Sequence, residues 1–124
     1  MRDFISCAKA ISDGTRIRIL KLLGRGELCV CQLMEILAMG QSTVSKHLGI
    51  LRSAGLVSSR REGTWTFYRL EERAVGKSNL DFLRFIGMAL EEDERIREDR
   101  DRARAVLKRP LSSLCSIRAV ERRG

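Results

Sequence analysis

The sequence predicts a mainly α fold of the α+β kind: four helices, one β-hairpin, then a return to helix. Three observations carry this reading. Apolar residues recur at helical spacing through residues 3–54. The period then changes to alternation in LVSSRREGTWTFYRL, residues 56–70, around a glycine turn. Helical spacing resumes over residues 79–107.

Each element has its own signal. Phe4, Cys7, Ala8 and Ile11 form the stripe of a first helix over residues 3–11. Asp13 offers an N-cap to a second helix bearing Ile17, Ile19, Leu20, Leu22 and Leu23, which GRG ends. Val30, Leu33, Met34 and Leu37 mark a short third helix, and AMG breaks it, with Gly40 as the expected turn residue. A fourth helix spans Gln41 to Ala54 on the stripe Val44, Leu48 and Leu51, and Gly55 terminates it. Gly63 supplies the hairpin turn.

From residue 79 the apolar face is broad. Leu80, Leu83, Ile86 and Leu90 form one stripe, and Phe82, Phe85 and Ala89 form a second beside it. That is more than a monomer of this size is expected to cover. The charged stretch EEDERIREDRDRARA reads as a solvated continuation of the same helix, held by the i,i+4 pairs Glu91–Arg95, Asp93–Arg97 and Glu98–Arg102. Pro110 should end it. The expected division is a folded unit over residues 1–108 and a mobile C-terminal tail over 109–124.

Composition narrows the function classes. A chain of 124 residues is one domain's worth, and 5% aromatic content makes the core aliphatic. No apolar run approaches the roughly 18 residues of a membrane span, and no secretory signal is visible, so a soluble, cytoplasmic location with reduced thiols is expected. The net charge is +8. Residues 1–70 hold 11 Lys/Arg against 5 Asp/Glu, a net of +6, whereas residues 71–124 hold 13 against 11. A basic folded part points to a polyanionic partner, most often nucleic acid. One histidine, no nucleophile–base motif and no phosphate-cradling glycine loop give an enzyme little support.

A polar-faced fourth helix followed by an arginine-bearing hairpin describes a winged helix-turn-helix. A helix fits the major groove of duplex DNA, and small polar side chains on its N-terminal part can reach base edges. Here those are Gln41, Ser42, Thr43, Ser45, Lys46 and His47, with Arg52 further along. Arg60, Arg61 and Arg69 on the hairpin would lie along phosphates or a minor groove.

Three segments, ELCVCQL, QSTVSKHLGILRSAGLV and REGTWTFYRL, in that order and spacing, closely resemble the ArsR/SmtB family of metal-responsive repressors. The resemblance covers roughly residues 3 to 90. It implies a winged-helix homodimer with the first and last helices at the interface. It also implies a repressor that sits on double-stranded operator DNA when metal-free and leaves when metal binds. The Cys-Val-Cys segment is specific to the family's thiolate-sensing members. Two departures are visible. Gly14 stands where the family usually carries Pro. Met34 stands where the arsenic-sensing branch often has a third cysteine.

Cys29 and Cys31 are therefore the candidate ligands of a soft ion. Residues i and i+2 point to different sides of a regular helix, so they share one ion only if the first turn is distorted or the segment locally extended. A pair of thiolates is incomplete for most such ions. Cys115 and Cys7 are the further candidates, each with a plain alternative: Cys7 as a buried small hydrophobe, Cys115 as a dispensable tail thiol. The preferred inducer is As(III) or Sb(III). Cd(II) or Pb(II), or cysteine oxidation or persulfidation, are the alternatives in the same fold. Residues 79–107 contain no histidine, which argues against the family's other metal site on its last helix.

Overall fold

The computed structural model of the chain describes residues 1–73 and 77–114. In order it runs α1 (Arg2–Ala10), α2 (Gly14–Leu23), β1 (Leu28–Cys29), α3 (Val30–Leu37), α4 (Gln41–Ser53), β2 (Val57–Glu62), β3 (Trp65–Leu70), α5 (Lys77–Met88) and α6 (Glu94–Leu107). This is the expected winged helix-turn-helix, with one strand and one helix break added. No helix among the described residues is long and apolar enough to cross a membrane.

The elements form where capping and periodicity demand. Asp13 caps α2, its carboxylate accepting from the Arg16 N–H at 3.0 Å. Ile19, Leu20, Leu33, Ile36, Val44, Leu48, Leu51 and Leu56 are fully buried and join α2, α3 and α4 into one aliphatic core. Gly55 adopts φ 76° after α4, and a Cβ there would meet the Asn79 Nδ2 at 2.6 Å. Only glycine fits that close approach. Asn79, on α5, donates from Nδ2 to the Ala54 and Gly55 carbonyls and so ties α5 to the end of α4.

The break between α3 and α4 is built differently from the expectation. The left-handed residue is Ala38 at φ 55°, closing α3 with its N–H on the Met34 carbonyl, while Gly40 is the extended N-cap of α4. A Cβ in that conformation costs about 1 kcal/mol. Ala38→Gly is therefore expected to raise the unfolding free energy, by at most about 1 kcal/mol after the added freedom of the unfolded glycine is counted. A urea midpoint at or below that of the unmodified chain would contradict this.

The sheet is antiparallel in the order β1-β3-β2. β2 and β3 form the wing, turned at Gly63 with φ 62°. The two-residue strand β1, unforeseen from the sequence, pairs Leu28 with Tyr68 and Cys29 with Phe67.

The long C-terminal helix is also corrected. It is two helices, broken after Met88, with Leu90 at φ 59° and Asp93 capping α6 through the N–H groups of Arg95 and Ile96. Lys21 fixes the break: its Nζ donates to the carbonyls of Gly87 (3.0 Å) and Ala89 (2.7 Å) at the end of α5. Nor is α6 merely solvated. Ile96, Asp99, Ala103 and Val106 are buried. Arg18 on α2 donates to both oxygens of Asp99 at 2.8 and 2.9 Å, and Arg102 donates to the Glu35 carbonyl on α3. The surface pairs that form, Arg97–Glu92, Arg100–Glu91, Arg95–Glu98 and Arg104–Asp101, are not the i,i+4 set expected. Bending at 89–93 changes which carboxylates each arginine can reach. Past Pro110, residues 111–114 are helical and Leu114 is buried, so packing continues beyond residue 108. The remainder of the expected tail lies outside the described residues.

Candidate nucleic-acid interface and thiol site

α4 divides cleanly. Val44, Leu48 and Leu51 face the core, while Ser42, Thr43, Ser45, Lys46 and Arg52 are exposed and Gln41 is half-buried. Small hydroxyls and a lysine on the leading turns leave the helix narrow enough to enter a groove. His47 was expected to face DNA. Instead its Nδ1 lies 3.3 Å from Arg16 Nη1 and 3.9 Å from an Asp13 carboxylate oxygen, between α4 and the start of α2. The hydrogen bond from the Arg16 backbone N–H leads the effects that hold the Asp13 carboxyl below its ordinary range, with the charges of Arg16 and His47 adding to it.

The wing arginines differ from one another. Arg61 is exposed and has no ion-pair partner among the described residues. Arg69 is exposed and donates to the Ser58 hydroxyl at 3.2 Å. Arg60 is already occupied. Glu27 takes a forked hydrogen bond from it at 2.7–3.1 Å, Glu62 a further one at 3.1 Å, and its guanidinium stacks 4.6 Å over the Phe67 ring. These bonds lower the Glu27 carboxyl below its usual range. Arg60 is thus a tie between the wing and the Gly26–Glu27 approach to β1. Sequence reading could not find this, because Glu27 and Arg60 are distant in the chain and meet only through the sheet.

The thiol pair sits at a strand–helix junction. Cys29 is the N-cap of α3 with extended backbone, φ −76° and ψ 151°, and is fully buried. It forms a reciprocal capping box with Gln32: the Cys29 N–H donates to Gln32 Oε1 at 2.8 Å, and the Gln32 N–H returns to the Cys29 sulfur. Cys31 lies in the first turn of α3 and is half-buried. The extension that two ligands at i and i+2 require is therefore present. Cys29, Phe67 and Arg60 also fall in one row across β1, β3 and β2. Cys7 and Cys29 are in no disulfide. The half-buried Cys31 sulfur, in the first turn of α3, is open to thiol chemistry from which the two buried thiols are shielded.

Cys7 lies elsewhere, fully buried on α1. Its thiol donates to Asn79 Oδ1 at 3.3 Å and approaches the Ala54 carbonyl at 3.5 Å. Burial, and secondarily the Asp3 carboxylate, push this thiol above its ordinary pKa. Among the described residues no three His, Cys, Asp or Glu side chains gather as a metal site. Cys115 lies outside the described residues.

A face of α1 and α5 remains uncovered. Phe4 (54%), Phe85 (63%) and Met88 (78%) are exposed, and the Phe4 and Phe82 rings meet at 5.1 Å, making the two helices one apolar surface.

Residues 13–59 match the model of the bacterial regulatory protein, arsR family. An uncharacterized HTH-type transcriptional regulator of Methanocaldococcus jannaschii is 48% identical over 68 residues, 54% of this chain and 76% of that protein. The arsenical resistance operon repressor of Bacillus subtilis is 40% identical over 60% of this chain and 72% of its own length. An arsenic resistance transcriptional regulator of Pseudomonas putida is 48% identical over 50% of this chain, which spans about half (49%) of that protein. Among solved structures, the homodimeric winged helix-turn-helix DNA-binding domain of a possible ArsR-family regulator from Mycobacterium bovis superposes with TM-score 0.58 at 34% identity, over 68% of this chain and 72% of that one.

Proposed function

The chain belongs to the arsR family of bacterial regulatory proteins, DNA-binding transcriptional regulators and not enzymes, and on that premise we propose that it is a cytoplasmic repressor released from its operator by a soft metal(loid) at Cys29 and Cys31. Arsenite or antimonite is the favoured inducer; Cd(II) or Pb(II) would suit the same sulfur donors. A second copy of the chain would cover the apolar face of α1 and α5, giving the homodimer that presents two α4 helices to two half-sites. Gln41, Ser42, Thr43 and Ser45 would read or approach base edges. Lys46, Arg52, Arg61 and Arg69 would hold phosphates.

The observation that carries this reading is the position of the thiol pair. Cys29 belongs to the wing sheet and Cys31 to the helix that leads into α4. An ion drawing the two sulfurs together would act on both DNA-contacting elements from one point: through Phe67 on the wing, and through α3 on the recognition helix. Each sulfur would replace one hydroxyl of arsenous acid, releasing water, with no change of oxidation state. The third donor would be Cys115, or Cys7 if α1 loosens from Asn79.

The test uses fully reduced protein and an operator duplex selected by the protein from a random pool. Arsenite is expected to weaken binding by about 5- to 150-fold, the range of typical allosteric coupling. Unchanged affinity at saturating arsenite would refute the metalloid reading. The half-buried position of Cys31, against the buried Cys29 and Cys7, favours a second reading, release by thiol oxidation. Release by a disulfide-forming oxidant in metal-free buffer, reversed by dithiothreitol and without any arsenite effect, would establish that reading instead.

A further inference from the structure

α4 borders a cleft that the recognition helix and wing do not account for. The cleft has a volume of about 510 Å³ and lies between α1 and the solvent-facing stripe of α4. Lys9 and Ser6 line it from α1, Lys46, Arg52 and Ser53 from α4, and Arg16 from the start of α2; no carboxylate lines it. The cations are not alike. Arg16 is committed to structure: its Nε donates to the Ala10 carbonyl at 2.6 Å and its Nη2 to the Lys9 carbonyl at 3.3 Å. These bonds pin the end of α1 beside α4, and the Asp13 carboxylate 3.9 Å from Nη1 offsets part of the Arg16 charge. Lys9 and Lys46 are exposed and have no ion-pair partner among the described residues. Arg52 makes one neutral hydrogen bond, to the Ser59 hydroxyl.

We infer that this cleft is a phosphodiester subsite in which Lys9 of α1 joins Lys46 and Arg52 in holding one strand of the DNA backbone beside the recognition helix. The inference rests on the operator-binding reading and extends its footprint to a helix otherwise given to dimerisation. Three cations without an ion-pair partner among the described residues, Lys9, Lys46 and Arg52, around an open cleft favour a polyanion. Its continuity with the polar face of α4 selects duplex DNA as that polyanion. Serine hydroxyls at the cleft suit phosphate oxygens, and Lys9 carries no base-reading geometry, so its contribution is affinity and register rather than sequence.

The test measures binding of mixed-sequence duplex DNA by fluorescence anisotropy between about 50 and 200 mM salt. Compared are Lys9→Gln, Lys9→Arg, Lys46→Gln and, outside the cleft, Lys108→Gln. One lost phosphate contact should reduce the log–log salt slope by about 0.9 per protomer, which at 0.1 M salt is up to about eight-fold in affinity. Lys9→Gln and Lys46→Gln should both show this; Lys9→Arg and Lys108→Gln should match the unmodified chain. A normal slope and affinity in Lys9→Gln, with losses in Lys46→Gln, would overturn the inference and leave the operator-binding reading standing. A weakened Lys9→Gln with an unchanged slope would also overturn it, as the lysine would then act on folding. No effect in either Gln variant would overturn both the inference and the recognition-helix assignment.

Discussion

Asp99→Ala is expected to lower the unfolding free energy by about 3 kcal/mol, the low end of the cost of breaking a buried ion pair by removing one partner. Asp99 is only 3% exposed, and both its oxygens accept from Arg18. The carboxylate heads the causes that raise the Arg18 pKa. Without it, a guanidinium with 14% of its side chain exposed stays largely withdrawn from water and has lost its charge-assisted bonds. That residual exposure places the cost at the low end, since Arg18 can turn partly to solvent. α6 also loses an anchor on α2, leaving its apolar contacts and the Arg102 bond to Glu35 to hold it. Urea unfolding followed by circular dichroism measures the loss. The pair Arg18→Met with Asp99→Leu should recover most of it, because apolar residues of similar size need no partner. A loss under about 1 kcal/mol in Asp99→Ala would mean that solvent already screens the pair as at a surface.

That ion pair also marks where sequence reading stops. The α2 to α4 core and the wing were legible because local signals agree there: Asp13 caps, the stripes repeat at 3.6 residues, and Gly55 and Gly63 take the positive φ angles their turns need. β1 was not legible, because two residues cannot display a period, and its pairing to Phe67 and Tyr68 is set by tertiary packing. α6 looked solvated because its composition is charged. Its buried stripe is sparse, and one member of it is an aspartate whose burial depends on an arginine 81 positions away. The basic residues proposed for DNA were found by type, yet type alone does not separate the open Arg61 from the occupied Arg60, nor a groove-facing side chain from His47 turned toward Arg16.

Changing Cys29 or Cys31 to Ser is expected to leave DNA binding within about three-fold of the unmodified chain and to abolish release by arsenite, a loss of the whole 1–3 kcal/mol of typical coupling. The fold should tolerate both changes. Cys29 is an N-cap residue, and a serine hydroxyl accepts the Gln32 N–H at least as well as sulfur does, so α3 keeps its capping box. Cys31 is half-buried, and a hydroxyl there retains access to water. What serine cannot do is bind a soft ion, for its oxygen is a hard, weak ligand. A double variant still released at the arsenite concentration that releases the unmodified chain would refute the proposed site. The number of sulfur ligands is read separately, by arsenic K-edge absorption of the reduced protein. If Cys115 supplies the third donor, Cys115→Ser should lose one sulfur neighbour and Cys7→Ser none, because the buried Cys7 thiol is engaged with Asn79 and Ala54. Loss in Cys7→Ser alone would require α1 to unpack on binding, and would place the inducer across the same helix that the apolar face of α1 and α5 assigns to the dimer.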